Sequence, residues 1–171
     1  MCPLDVQTAC VSGGCVQLNP TWEFVSDRVM GGVSEGALSI ASHEGQPVAR
    51  LTGRVSLENN GGFVQMAFDV TPDGSALDAS KWAGLEITLR GNGETYDIRL
   101  RTAQLTRPWQ SFRTQVTATP SWRIARLPFD RFEPHRTTQS FDPAALRRIG
   151  VLAIGKVFEA DISVAQVGFY R

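Results

Sequence analysis

The chain has 171 residues, 42% of them hydrophobic and 20% charged, with seventeen basic side chains balanced by seventeen acidic ones. That length favours a single domain able to bury a core without metal or disulfide support. The cancelled charge argues against nucleic acid and against an anionic membrane surface as partners.

The start, Met1-Cys2-Pro3-Leu4-Asp5-Val6, has no basic stretch followed by an apolar block, so it does not read as a secretory signal. No run approaches the roughly 18 apolar residues of a spanning helix. The expectation is a soluble, cytoplasmic chain with no membrane insertion. Cys2, Cys10 and Cys15 are spaced by eight and five residues, with His43 and His135 far away, a poor fit to zinc. They read as free thiols in a leader over residues 1–20. Gly13-Gly14 would also let Cys10 and Cys15 close a small disulfide loop in an oxidising compartment. A single domain is expected over 21–171.

The next segment is the most informative. From Trp22 to Gly36 an aromatic-rich strand enters a turn carrying Asp27, Met30, Gly31-Gly32 and Ser34. Paired glycines permit positive φ and close backbone approach. Asp and Ser side chains can bond nearby amides and fix such a turn. Met30 is expected to plug inward. The loop reads as mainly architectural, with the shaping of a site as the alternative.

Beyond it the pattern has period two. Phe63 to Val70 places Val64, Met66, Phe68 and Val70 on one face. Leu85 to Arg90 and Tyr96 to Arg101 alternate cleanly, and Phe112 to Thr117 more weakly. Further strands are expected at Ala37–Ser42, Val48–Val55, Trp122–Leu127, Ile149–Ile154 and Phe158–Tyr170. Turn signals separate them, among them Thr71-Pro72-Asp73-Gly74 and Gly91-Asn92-Gly93. Such alternation marks half-buried antiparallel strands. One short helix is expected from Asp142 as N-cap, through Pro143, to Arg148. The fold class is therefore all-β, a jelly-roll β-sandwich with at most one or two short helices.

These residues carry a resemblance. Trp22 followed by Ser26-Asp27-Arg28-Val29-Met30-Gly31-Gly32-Val33-Ser34 resembles the signature of the complex I intermediate-associated protein 30 family. Gly53-Arg54-Val55-Ser56-Leu57-Glu58-Asn59-Asn60-Gly61-Gly62-Phe63 resembles its second block. Gly84-Leu85, Gly91-Asn92-Gly93, Tyr96 and Arg99-Leu100-Arg101 resemble its middle. Trp122 with Leu127-Pro128-Phe129 and Phe132, then Ile149-Gly150 through Phe158 to Val167, resemble its close. The segment Gly155-Lys156-Val157-Phe158 departs from the pattern, which has a glycine nearer Phe158. The resemblance implies a galactose-binding-domain-like sandwich. It also implies kinship with factors that assist assembly of respiratory complex I, although bacterial and plant members carry the domain in other settings.

Chemistry is sparse. His43 and His135 are the only candidate bases and both sit in hydrophilic turns. No nucleophile elbow, phosphate loop or zinc-protease helix is present. No catalytic residue and no cofactor are expected. Between Ile98 and Leu127 lie six arginines, Arg99, Arg101, Arg107, Arg113, Arg123 and Arg126, and no acid. Alternation puts Asp97, Arg99 and Arg101 in one row, Arg113, Gln115 and Thr117 in a second, and Glu86, Thr88 and Arg90 in a third. Neighbouring rows would make an arginine-rich platform, and guanidinium forks suit carboxylates, phosphates and sugar hydroxyls. Trp82, Trp109 or Trp122 would add stacking. The plainer alternative is a polar sheet face on which arginine replaces lysine.

Arg90, Tyr96, Arg99, Arg101, Arg113, Gln115 and Trp122 are the candidate partner-binding residues. Trp22, Asp27, Met30, Gly31, Gly32, Ser34, Asn59, Gly61 and Gly62 are the candidate structural signature. Asn59-Asn60-Gly61-Gly62 reads either as a hairpin turn or as a neighbour of the Asp27 loop. In the latter case Asp27, Glu58 and Asn59 would offer oxygens to calcium. No dense ligand loop is present, so no metal is expected. The leading functional expectation is a non-catalytic module that binds a protein, such as a respiratory-complex subunit, and assists assembly. The alternative is a carbohydrate-binding module.

Overall fold

The computed structural model describes residues 15–43 and 46–171. Cys2 and Cys10, and the side chains of Cys15 and Met30, lie outside the described residues. Twelve strands are described: β1 (Cys15–Gln17), β2 (Glu23–Ser26), β3 (Glu35–His43), β4 (Gln46–Val55), β5 (Phe63–Asp69), β6 (Gly84–Gly91), β7 (Thr95–Thr102), β8 (Ser111–Thr117), β9 (Arg123–Pro128), β10 (Glu133–His135), β11 (Leu146–Ile154) and β12 (Phe158–Tyr170). Helical structure among the described residues is confined to short 3₁₀ turns.

The strands form two antiparallel sheets. The first has the order β3-β4-β12-β6-β9, with β1 beside the end of β12. The second has the order β10-β8-β7-β11-β5-β2. Alternation explains why the sheets stack. On β5, Val64, Met66 and Phe68 are buried, and on β7 so are Ile98 and Leu100. Across from them β6 turns in Leu85, Ile87 and Leu89, and β12 turns in Ile162, Val164, Val167 and Phe169. Each such side chain contributes about 1.5–3 kcal/mol through loss of water contact. The result is the expected jelly-roll sandwich.

One element departs from expectation. The helix predicted from Asp142 to Arg148 is a single 3₁₀ turn over Pro143–Ala145. Asp142 does cap it, with its Oδ1 accepting from the Ala144 amide at 3.0 Å. The turn stops because the next residue, Leu146, is drawn fully into the core and bridges Leu77 and Thr102. Core burial outweighs a helical preference of a few tenths of a kcal/mol per residue. The strand thus begins three residues before the predicted Ile149 and carries Arg147 and Arg148 with it.

Candidate functional site

The two glycine-rich blocks meet around one buried carboxylate. Ser26 caps a 3₁₀ turn over Asp27–Met30, and Gly31 closes it in a left-handed conformation at φ 87°. Asp27 is thereby turned into the interior, where it is fully buried. Its Oδ1 accepts from the Ser34 amide at 3.0 Å. Its Oδ2 accepts from the Gly62 amide at 2.6 Å, the Ser34 hydroxyl at 2.5 Å and the Phe63 amide at 3.3 Å. Ser34 Oγ in turn accepts from the Ser56 amide at 2.9 Å. Burial by itself would push the Asp27 carboxyl up. The bonds from Ser34, Gly62 and Phe63 outweigh it and hold the group below its ordinary value.

Close approach explains the glycines. A Cβ on Gly32 would stand 2.5 Å from the Asp27 carboxyl carbon, and one on Gly61 would meet its Oδ2 closer still. Asn59 takes φ 56°, which lets the second block fold back. Gly62 follows at φ 139°. Both carboxylate oxygens are thus engaged by donors of the chain itself. Asp27 faces Gly61 and Gly62, and it is not one of a set of three or more acidic, His or Cys side chains among the described residues.

The arginine rows are split between the sheets. On the outward side of β7 and β8, Arg99 pairs in register with Arg113, and Asp97 with Gln115. Asp97 is only 2% exposed, and its Oδ2 accepts from Arg99 Nε at 3.1 Å and Nη2 at 2.9 Å. Gln115 donates to its Oδ1 at 3.3 Å, and Arg113 stands 3.8 Å away. On the far side of β8, Glu133 pairs with Arg113, and His135 with Ser111. Burial first, then Arg99, Arg113 and Arg136, push the His135 imidazole below its ordinary value, against the opposing pull of Asp97.

Strand β11 continues this face on the other side of β7. Gly150 sits beside Arg99, and Arg148 beside Arg101. With no side chain at Gly150, a cleft opens among Gln65, Arg99, Arg101, Trp109, Ser111 and Leu152. Trp109, on the β7–β8 loop, is 55% exposed at its rim, with the Arg107 guanidinium 5.9 Å from its ring centre.

The remaining predicted residues lie elsewhere. Arg90 belongs to β6 in the first sheet, opposite the arginine face, and stacks 4.7 Å over Trp122. The third row, Glu86, Thr88 and Arg90, therefore does not join the other two. Tyr96 points into the core. Its hydroxyl donates to Asn92 Oδ1 at 2.7 Å and accepts from the Asp161 amide at 2.9 Å. Burial pushes its phenol up to about 12. Trp22 packs edge-on against Phe68, ring centres 4.8 Å apart.

Arg147, Arg148, Ser111 and Gly150 were not among the site residues expected from the sequence. Alternation backward from the predicted strand at Ile149 places Gly150 and Arg148 on the outward face. Nothing in the pattern signals Arg147, which reaches that face through a shift of register between Leu146 and Arg148.

The family model described as complex I intermediate-associated protein 30 matches residues 16–164, most of both sheets and the whole Asp27 knot. The chain belongs to that family. Compared with curated proteins, it finds no match. Among solved structures it is similar to a family 11 carbohydrate-binding module from Clostridium thermocellum in complex with a β-1,3-1,4-mixed-linked tetrasaccharide. That match has TM-score 0.71 and 15% identity, covering 92% of this chain and 95% of that one. It is also similar to a family 30 module of a cellulosomal cellulase of the same organism, with TM-score 0.68, 17% identity and coverage of 91% and 96%. An agarase shares the fold over 92% of this chain but 24% of its own, with TM-score 0.59 and 9% identity. At these identities the likeness is one of fold.

Proposed function

We propose that this family member is a non-catalytic module that holds a protein partner during assembly of a larger complex, a respiratory complex being the leading candidate. Docking is through the outward face of the second sheet. The observation that carries the reading is the row Arg99–Arg113 beside the buried Asp97, with the cleft over Gly150 next to it. A buried carboxylate fixes Arg99 in one orientation, so little side-chain entropy remains to be lost on binding. Arginine and tryptophan beside a defined cleft are the residue types that dominate protein interfaces. Family membership favours an assembly role. Among the described residues no helix is long and apolar enough to cross a membrane, and a soluble, cytoplasmic setting is part of the same proposal.

The test uses Trp109→Ala combined with Arg113→Ala, two exposed changes that leave Asp97 paired to Arg99. Capture of the partner from the host should be lost while the thermal transition stays in place. Undiminished capture removes this face.

A second reading is favoured by Trp109. A half-exposed indole beside a polar cleft can stack on a sugar ring, and the family 11 and family 30 modules share the fold. A glycan array with neutral and acidic oligosaccharides decides it. Binding abolished by Trp109→Ala supports it, and a blank array removes it.

A further inference from the structure

Strand β11 meets β7 with Leu146 against Thr102 and Arg148 against Arg101, so Arg147 is an extra residue in the ladder. Regular alternation would send Arg147 and Arg148 to opposite faces. The bulge re-aims one of them, as such irregularities do, and both line one hollow of about 260 Å³ with Arg101, Thr102 and Asp69. Three guanidiniums are thereby crowded together. Like charges so placed repel.

The acids on this face do not balance them. Arg148 is engaged by Asp69 at 2.8 Å and Glu23 at 3.2 Å, and Asp97 by Arg99. Arg101 donates only to backbone carbonyls, Nε to Gln110 at 3.2 Å and Nη2 to Arg107 at 3.0 Å. Arg147 donates to the Gly74 carbonyl at 3.0 Å. Among the described residues neither has a carboxylate partner. Two of the five N–H groups of Arg101 are used, leaving three. Burial first, then Arg147 and Arg148, depress its pKa.

A second, independent feature points the same way. Ser111 lies on the adjoining cleft, which shares Arg101 and Arg148 with the hollow. Ser111 is 4% exposed, and its hydroxyl has no partner among the described residues. A buried hydroxyl without a partner is costly to leave so.

We infer that this bulge-built hollow is an anchor for a carboxylate carried by an acidic segment of the protein partner. The inference rests on the docking face proposed above. Guanidinium forks suit carboxylate and phosphate alike. The charge balance selects between them: three arginines against Asp69 and the nearby Glu23 leave an excess of about one charge, which one carboxylate cancels and a phosphate dianion overshoots.

The probe is a fluorescein-labelled hexaglutamate peptide, with hexaglutamine as control, read by anisotropy against the full chain. Hexaglutamate should bind and hexaglutamine should not. Arg147→Gln, an exposed change, should weaken binding about tenfold with no change in melting, while Arg123→Gln on the other sheet leaves it unaltered. Equal binding of both peptides, indifference to Arg147→Gln, or displacement by inorganic phosphate at matched charge would each overturn the inference. So would tighter binding of oligogalacturonate, which would place the carboxylate on a sugar. If hexaglutamate fails to bind while Trp109→Ala with Arg113→Ala still abolishes partner capture, the docking face stands and the acidic anchor falls. If it binds in the Arg147-dependent way while that double variant captures normally, the anchor stands and the wider face falls.

Discussion

The Asp27 carboxylate accepts the backbone amide of Gly62 at 2.6 Å, thirty-five residues further along the chain. That contact joins the turn before β3 to the turn before β5, and so ties an edge strand of one sheet to the interior of the other. Two sequence blocks that look separate are one structural device. Its stability consequence is direct.

Asp27→Ala strands the amides of Ser34, Gly62 and Phe63, while the Ser34 hydroxyl keeps the Ser56 carbonyl at 3.2 Å. The expected loss is about 3 kcal/mol or more, since each unsatisfied buried donor costs roughly 1–3 kcal/mol. Urea denaturation checks this. A loss below about 1 kcal/mol would mean that water replaces the carboxylate freely.

The same carboxyl predicts a pH dependence. Its pKa in the folded chain lies below the ordinary 3.8, so its contribution is fully present above that value and is lost as pH falls through the lower folded one. The native protein should lose stability in this acid window more steeply than Asp27→Asn. Parallel acid profiles for the two would contradict the assignment.

Glycines at two turns should respond differently. Gly61→Ala drives a Cβ into the Asp27 carboxylate and should cost about 1–3 kcal/mol as an overpacked site. Gly93→Ala has open space around it and φ 84°, so only backbone strain of about 1 kcal/mol is expected. Thermal melts of the two variants rank them, and a larger loss at Gly93 would contradict the knot.

Much of the sandwich was legible in the sequence, because period-two alternation reports directly which side chains a half-buried strand turns inward. Val64, Met66 and Phe68 are the plain case. The importance of Asp27 was legible from its glycines, but its partner was not, because contacts thirty-five residues apart leave no local trace. The arginine platform was half legible. Alternation put Arg99 and Arg113 on sheet faces correctly, but it says nothing of which strands become neighbours, and Arg90 went to the other sheet. Tyr96 was named as a partner-binding candidate, yet it alternates with Asp97, the outward member of that pair, and is fully buried. Leu146 to Arg148 were hidden by a helix start signal that core burial overrode.

Tyr96 also yields a test of its structural role. Tyr96→Phe removes a bond to Asn92 and leaves the Asp161 amide without its acceptor, for a loss of about 1–3 kcal/mol. Because the phenol is pushed from 10.0 up to about 12 in the folded chain, stability should fall as pH rises through that interval. The alkaline loss should be absent in the phenylalanine variant. An alkaline profile shared by both would assign the effect to other groups.

Docking is proposed to use the outward face of the second sheet. Hydrogen exchange on the complex purified from its own host, compared with the free chain, tests it most directly. Slowed exchange is expected in β7, β8, β11 and the Trp109 loop, with β3, β6 and β9 unchanged. Protection confined to the first sheet, around Arg90 and Trp122, would contradict it.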